Sequence, residues 1–193
     1  LAVLTHQDLL TLERTAQDGM RVRASAGAAS FHRQPTLEKC RKEARKQVAR
    51  LKAELETAPQ EALRKAARRE AAARDRLARI DNALAELAKV RDPKPEKTRP
   101  DARVSSTDPQ ARVMKMGDGG YRPAYNVQFT TDTKSRVIAG VQVTNKCVDY
   151  GLMRPSLDDL ERRTGLVPIQ HLVDCGFAAR EDIEHAAATG VTV

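Results

Sequence analysis

The spacing of apolar and polar positions along this 193-residue chain changes several times, and each change predicts a change of structure. Thr5 to Leu10 reads as the end of a helix. Leu12 to Ala24 alternates as a strand does, with an interruption or turn expected at Asp18-Gly19. Ser25 to Gln34 is small and polar and reads as a connector. From Thr36 the period lengthens. Leu37, Ala44, Val48, Leu51 and Leu55 form one stripe, and after a break at Thr57-Ala58-Pro59 a second stripe runs through Leu77, Ile80, Leu84 and Leu87. This spacing predicts two long helices in an antiparallel, coiled-coil hairpin with a thin aliphatic seam. Asp92-Pro93-Lys94-Pro95 ends the hairpin, and a polar linker is expected to about Pro109.

After Ala111 the period shortens to two. Tyr125, Val127 and Phe129 alternate with Asn126, Gln128 and Thr130, as in a half-buried strand. The turn Asp132-Thr133-Lys134-Ser135 leads into Val137 to Val143, which predicts a β-hairpin. Asp149 is placed to cap a helix running to about Arg163, with Leu152, Leu157 and Leu160 facing inward and Gly165 ending it. A strand over Ile169 to Val173, a helix over Arg180 to Ala188 and the start of a strand at Gly190 complete the pattern. With the hairpin set aside, antiparallel strands come first and a further strand is reached through a helical crossover. That order is the pattern of an α/β, ribonuclease H-like mixed sheet, here partial, with the helical hairpin inserted. The expected organisation is residues 1–35 as the start of the core, 36–92 as the insertion, 93–110 as linker and 111–193 as the rest of the core.

Charge sharpens this picture. Thr36 to Pro100 carries 19 Lys and Arg against 11 Asp and Glu, so this stretch alone accounts for the net charge of +8. A basic block of this kind points to a polyanionic partner, most simply nucleic acid, although a solvated helical face has the same composition. Trp is absent and aromatics make up 3%, so any core must be aliphatic. Cys40, Cys147 and Cys175 form no C-x-x-C pair and indicate neither a disulfide framework nor a zinc site. No apolar run reaches membrane-spanning length and no secretory signal is visible, so the chain reads as cytosolic, without a membrane partner. It begins at Leu1 and stops within Gly190-Val191-Thr192-Val193, and it reads as a fragment.

Two aspartates carry the candidate chemistry. Leu172-Val173-Asp174-Cys175-Gly176-Phe177 is an apolar run ending on a carboxylate at a turn, where open α/β sheets place their sites. Asp18 lies in the first strand-like run. Strand-borne acids far apart in sequence are what a two-metal phosphoryl-transfer site requires, because the ions' ligands must be rigidly placed. Carboxylates suit hard ions such as Mg2+. On pattern alone, Asp18-Gly19 is also a turn dipeptide and Asp174 a helix cap. Asp132 reads as a turn residue and Asp149 as a cap. Arg21, Arg23, Arg33 and Arg122 are candidates for phosphate contacts. His6, His32, His171 and His185 have no evident role.

The chain resembles a DDE-type transposase of bacterial insertion sequences. The likeness lies in Gln17-Asp18-Gly19-Met20-Arg21-Val22-Arg23-Ala24, in Gly120-Tyr121-Arg122-Pro123-Ala124-Tyr125-Asn126-Val127-Gln128 and in Leu172-Val173-Asp174-Cys175-Gly176-Phe177. More loosely, it extends to the basic helical insertion after Ser30-Phe31-His32-Arg33. The resemblance implies a ribonuclease H-like core in which three acids hold two divalent ions, normally Mg2+, and cut and join DNA. Asp18 matches the first of those acids and Asp174 the second. The third, a Glu on a later helix, has no match before Val193, since Glu181 and Glu184 come too soon after Asp174. The resemblance also implies transposon-end and target DNA as partners, a possible homodimer, and a bacterial cytoplasmic protein that joins the nucleoid when bound to DNA. A ribonuclease H-like nuclease without strand transfer, or a non-catalytic DNA-binding or coiled-coil protein, remains the alternative.

Overall fold

The computed structural model describes residues 2–7 and 10–193 and divides into two compact units. The sheet unit is made of the residues up to Arg23 together with Val113–Val193, and the helical unit of Ala24–Arg112. The class is α/β with a mixed sheet.

The sheet unit opens with a short helix α1 (Ala2–His6); the rest of the helix end expected at Thr5 to Leu10 falls partly outside the described residues. Strand β1 (Arg14–Arg23) runs without interruption, so the turn expected at Asp18-Gly19 does not occur. Both residues are paired within the ladder, Asp18 with Phe129 and Gly19 with Gln128 of the strand described next.

That partner belongs to the long antiparallel strand Tyr121–Asp132, which is β5 in chain order. Before it come two short strands of the helical unit, β2 (Phe31–His32) and β3 (Val104–Ser105), and the sheet strand β4 (Arg112–Lys115). Strand β6 (Ile138–Thr144) pairs antiparallel with β5 on a register that shifts at Thr130/Thr131, and β4 also pairs with β5. On the other side of β1, strand β7 (Gln170–Leu172) pairs in parallel, and Thr192 adds a parallel bridge to Gln170. The five-stranded sheet therefore runs β4-β5-β1-β7 with β6 also on β5; β6 with β5 and β5 with β1 are antiparallel, and β1 with β7 is parallel.

The crossover to β7 contains a helix (Met153–Thr164), preceded in chain order by the two helices of the helical unit and so numbered α4. Leu157 and Leu160 are buried along it, Leu152 is buried just before it, and Gly165 ends it at φ 70°, a left-handed stop that suits glycine. The last helix, α5 (Arg180–Ala188), spans the stretch expected of it. Two aliphatic clusters form the core. Leu152, Met153, Leu157, Phe177, Ala186 and Val191 make one; Leu10, Leu12, Ala139 and Leu160 make the other.

Asp149 does not cap α4. Asp182, on α5, does so instead: its Oδ2 accepts the backbone N–H groups of Met153 at 3.1 Å and Arg154 at 3.2 Å.

In the helical unit, α2 (Gln34–Glu56) and α3 (Leu63–Arg91) run antiparallel. The pairs Gln34–Arg91, Gln47–Arg76 and Glu54–Arg69 mark successive levels along them. Leu37, Ala44 and Leu51 of the first stripe and Ile80 and Leu87 of the second are buried, as their spacing requires. The expected connector and linker are both partly structured. β2 pairs with β3, and Ala102 and Val104 pack on Leu37, Ala83 and Leu87. A residue pair too short to show a period is thus closed into the core by its partner strand.

Candidate functional site

Residues 15, 17, 19 and 21 of β1 share one face of the sheet, and residues 16, 18, 20 and 22 share the other. The first face is polar and almost wholly buried. Thr15, Gln17, Asn126, Gln128, Thr130, Asp132 and His171 all lie in it. All three polar members of the alternation over Tyr125–Thr130 are buried; of the apolar members, Val127 is buried while Tyr125 and Phe129 stay half exposed.

Burying these groups requires that they satisfy one another, and their hydrogen bonds can be assigned in order. Gln17 Nε2 donates to the backbone carbonyl of Leu152 at 3.1 Å, which fixes the orientation of that amide. Its Oε1 therefore faces His171 Nε2 at 3.1 Å and accepts from it. Burial disfavours a charged ring, so the remaining nitrogen, Nδ1, accepts the Thr15 hydroxyl at 2.7 Å and the single proton sits on Nε2. Burial holds its pKa down to about 4. On the other side, Gln17 Nε2 donates to Gln128 Oε1 at 3.0 Å. Gln128 Nε2 in turn donates to Asn126 Oδ1 and to Asp149 Oδ1, both at 2.8 Å.

Asp149 closes this chain of bonds. Its Oδ1 also accepts from Asn126 Nδ2 at 2.7 Å, and the Arg21 guanidinium spans both carboxylate oxygens at 3.3 Å. Burial works against the charged form, but the Asn126 bond and the Arg21 guanidinium outweigh it and hold the Asp149 carboxyl below the usual range. The sequence pattern read Asp149 as a helix cap, gave His171 no role, and placed Asn126 and Gln128 on a strand and in the resemblance without assigning either to a site. The available signal was Asn126 and Gln128 two apart on one strand face, opposite a glycine.

The second face carries Asp18. It is open: Met20 is 52% exposed and Val143 65%, with Val22, Val141 and Leu172 also exposed. β1 and β7 pair Arg14 with Gln170, Thr15 with His171 and Ala16 with Leu172. β7 ends at Leu172; carried two residues further, the same register would set Asp174 opposite Asp18, and both side chains are exposed. Each carboxylate is tied by one oxygen. Asp18 Oδ1 accepts the Gly19 N–H and Asp174 Oδ1 the Gly176 N–H, both at 2.7 Å. The other oxygen of each has no hydrogen-bond partner among the described residues. Through its bond to Gly176, Asp174 is the N-cap of a single 3-10 turn, Cys175–Phe177, so the capping reading holds for this turn and not for an α-helix.

No third acid joins the pair: among the described residues no three His, Cys, Asp or Glu side chains converge. Asp132 is a turn residue whose Oδ2 accepts both the N–H and the hydroxyl of Ser135. Three of the four candidate phosphate-binding arginines are engaged with carboxylates: Arg21 with Asp149, Arg33 with Asp101 and Arg122 with Asp118. No helix among the described residues is long and apolar enough to cross a membrane. No protein-family model, curated protein or solved structure matches this chain.

Proposed function

We propose that this chain is part of the catalytic core of a DDE-type DNA transposase, a ribonuclease H-like fold carrying a basic helical insertion, which acts on DNA in the bacterial cytoplasm. The observation that carries this reading is the parallel pairing of β1 with β7, whose register, carried two residues past Leu172, would set Asp174 beside Asp18. The strand order β6-β5-β1-β7 with its antiparallel and parallel senses supports it, because it is the order expected of a ribonuclease H-like sheet. Two exposed carboxylates, each with one oxygen lacking a partner, suit a hard divalent ion such as Mg2+, which takes few protein ligands and keeps its waters. Asp18 and Asp174 would hold it; when bound, two such ions activate the attacking oxygen and stabilise the leaving one in phosphoryl transfer.

Metal titration tests this reading on the chain itself. Mn2+, standing in for Mg2+ and followed by electron paramagnetic resonance, is expected to bind the wild-type chain. Asp18→Asn and Asp174→Asn are each expected to weaken it by about tenfold or more, since even residues behind the ligands have effects of that size. Equal Mn2+ affinity in all three proteins would leave both aspartates structural. A strand-transfer assay with the full-length protein then separates joining from simple hydrolysis.

The helical unit supplies the basic surface. Arg64, Lys65, Arg68 and Arg69 are exposed near the start of α3, and Arg69 alone among them pairs with a carboxylate, Glu54. DNA affinity should fall with salt at a logarithmic slope of about −0.9 per phosphate neutralised. Replacing these four residues with Gln should flatten that slope. An unchanged slope assigns the hairpin to contacts between protomers of a homodimer instead.

A further inference from the structure

We propose that Asp149 is a positioning residue for Asp18, acting through the backbone of Gly19. The proposal rests on the reading of Asp18 as a metal ligand. The two carboxylates lie on opposite faces of β1, and Gly19 is what separates them. A Cβ built on Gly19 would lie 2.9 Å from Asp149 Oδ1, 2.3 Å from Gln128 Nε2 and 3.1 Å from Asn126 Oδ1. The absence of a side chain at position 19 therefore lets this cluster rest directly on the strand backbone. Asp149 is the acceptor at its centre, taking bonds from Asn126, Gln128 and Arg21. Asn126 and Gln128 are themselves the cross-strand partners of Arg21 and Gly19. The segment Gly19–Arg21 is thus held to β5 twice, by the ladder and by the side chains that Asp149 gathers.

From the other side, Asp18 grips the same peptide: its Oδ1 takes the Gly19 N–H. The orientation of that N–H therefore sets where the Asp18 carboxylate sits, and the Asp149 cluster sets the orientation of Gly19. Asp149 lies outside the strands, between β6 and α4, and its side chain is 26% exposed. A carboxylate whose only task was to fill the interior would not stand in a partly exposed loop with three donors drawn to it. Its charge matters as well as its shape. An amide at this position would present a donor to some of these donors and lose the Arg21 pair.

The test compares Mn2+ binding by wild type, Asp18→Asn, Asp149→Asn and Arg21→Gln in the intact chain, with circular dichroism and the amide resonance of Gly19 recorded for each. Asp149→Asn is expected to weaken Mn2+ by about tenfold, as residues behind a metal ligand do, and to shift the Gly19 amide while the fold is retained. Arg21→Gln, which leaves Asn126 and Gln128 in place, is expected to give a smaller loss in the same direction, and it carries the test if Asp149→Asn does not fold. Asp149→Glu should restore part of the affinity. Wild-type affinity in folded Asp149→Asn or Arg21→Gln, with Asp18→Asn still impaired, overturns the positioning role and leaves the metal site standing. Absence of Mn2+ binding by the wild type overturns both.

Discussion

Gly19→Ala is expected to destabilise the sheet unit by about 3 kcal/mol, the sum of an overpacking cost and the disturbance of a buried polar network. The new methyl group would sit 2.3 Å from Gln128 Nε2, far inside contact distance. Gln128 is the end of a flexible side chain, so an isolated clash would be relieved by a change of rotamer. It is not free to make one. Gln128 accepts from Gln17 and donates to both Asn126 and Asp149, and it is 1% exposed, so moving it leaves several buried polar groups without partners. Gly117→Ala is the control, because it lies in the same unit and nothing lies within 4 Å of a Cβ at that position; its effect should stay within about 0.5 kcal/mol. The three tyrosines, Tyr121, Tyr125 and Tyr150, all lie in the sheet unit, so tyrosine fluorescence during urea unfolding reads that unit alone. Combining Gly19→Ala with Gln128→Ala should cost less than the two single changes together, since the second removes the group that the first strikes. Strict additivity would mean that the strand shifts as a whole instead.

What could be read locally was read well. Gly165 stops α4 because a left-handed stop needs no distant partner, and Arg180–Ala188 forms a helix from its own composition. The stripes of α2 and α3 follow from spacing alone. The misreadings share one cause, which is a partner far away in sequence. Asp18-Gly19 has the composition of a turn, yet its glycine answers to Gln128 across the ladder. The alternation over Tyr125–Thr130 shows a strand but not which side is inside. Burying Asn126 and Gln128 becomes acceptable only through Gln17 and Asp149, from β1 and a distant loop. Asp149 has the position of a cap, but α4 takes its cap from Asp182 on α5, which frees Asp149 for Arg21. Likewise Val104 forms a strand of two residues because Phe31 and His32 lie beside it. At the candidate site, Asp18 stood out in the sequence as an acid within a strand-like run and Asp174 as one at the end of an apolar run. That the strands carrying them are parallel neighbours required the sheet.

His171 makes the stability of the sheet unit sensitive to mild acid. In the folded chain its pKa is about 4, against an ordinary 6.5, because charging it would strand a proton among buried groups. Between those two values the unfolded chain takes up a proton that the folded chain refuses. Stability attributable to this group is therefore complete above about pH 6.5, falls as the pH drops, and stops falling below about pH 4. The slope can reach about 1.4 kcal/mol per pH unit, for a total on the order of 3 kcal/mol. Carboxylates held low in the folded unit, such as Asp149 and Asp159, lose their contribution only as the pH falls through the carboxylate range, so the two effects fall in largely separate windows. Urea unfolding followed by tyrosine fluorescence from pH 7.5 to 4.5 should show the midpoint moving steadily to lower urea in the wild type. In His171→Gln, which can still accept from Thr15 and donate to Gln17, that dependence should largely vanish, although the protein is less stable at pH 7.5. A wild-type midpoint that does not move across this window would mean that His171 takes up its proton in the folded chain as readily as in the unfolded one. A steep dependence retained in His171→Gln would place the proton uptake on another group.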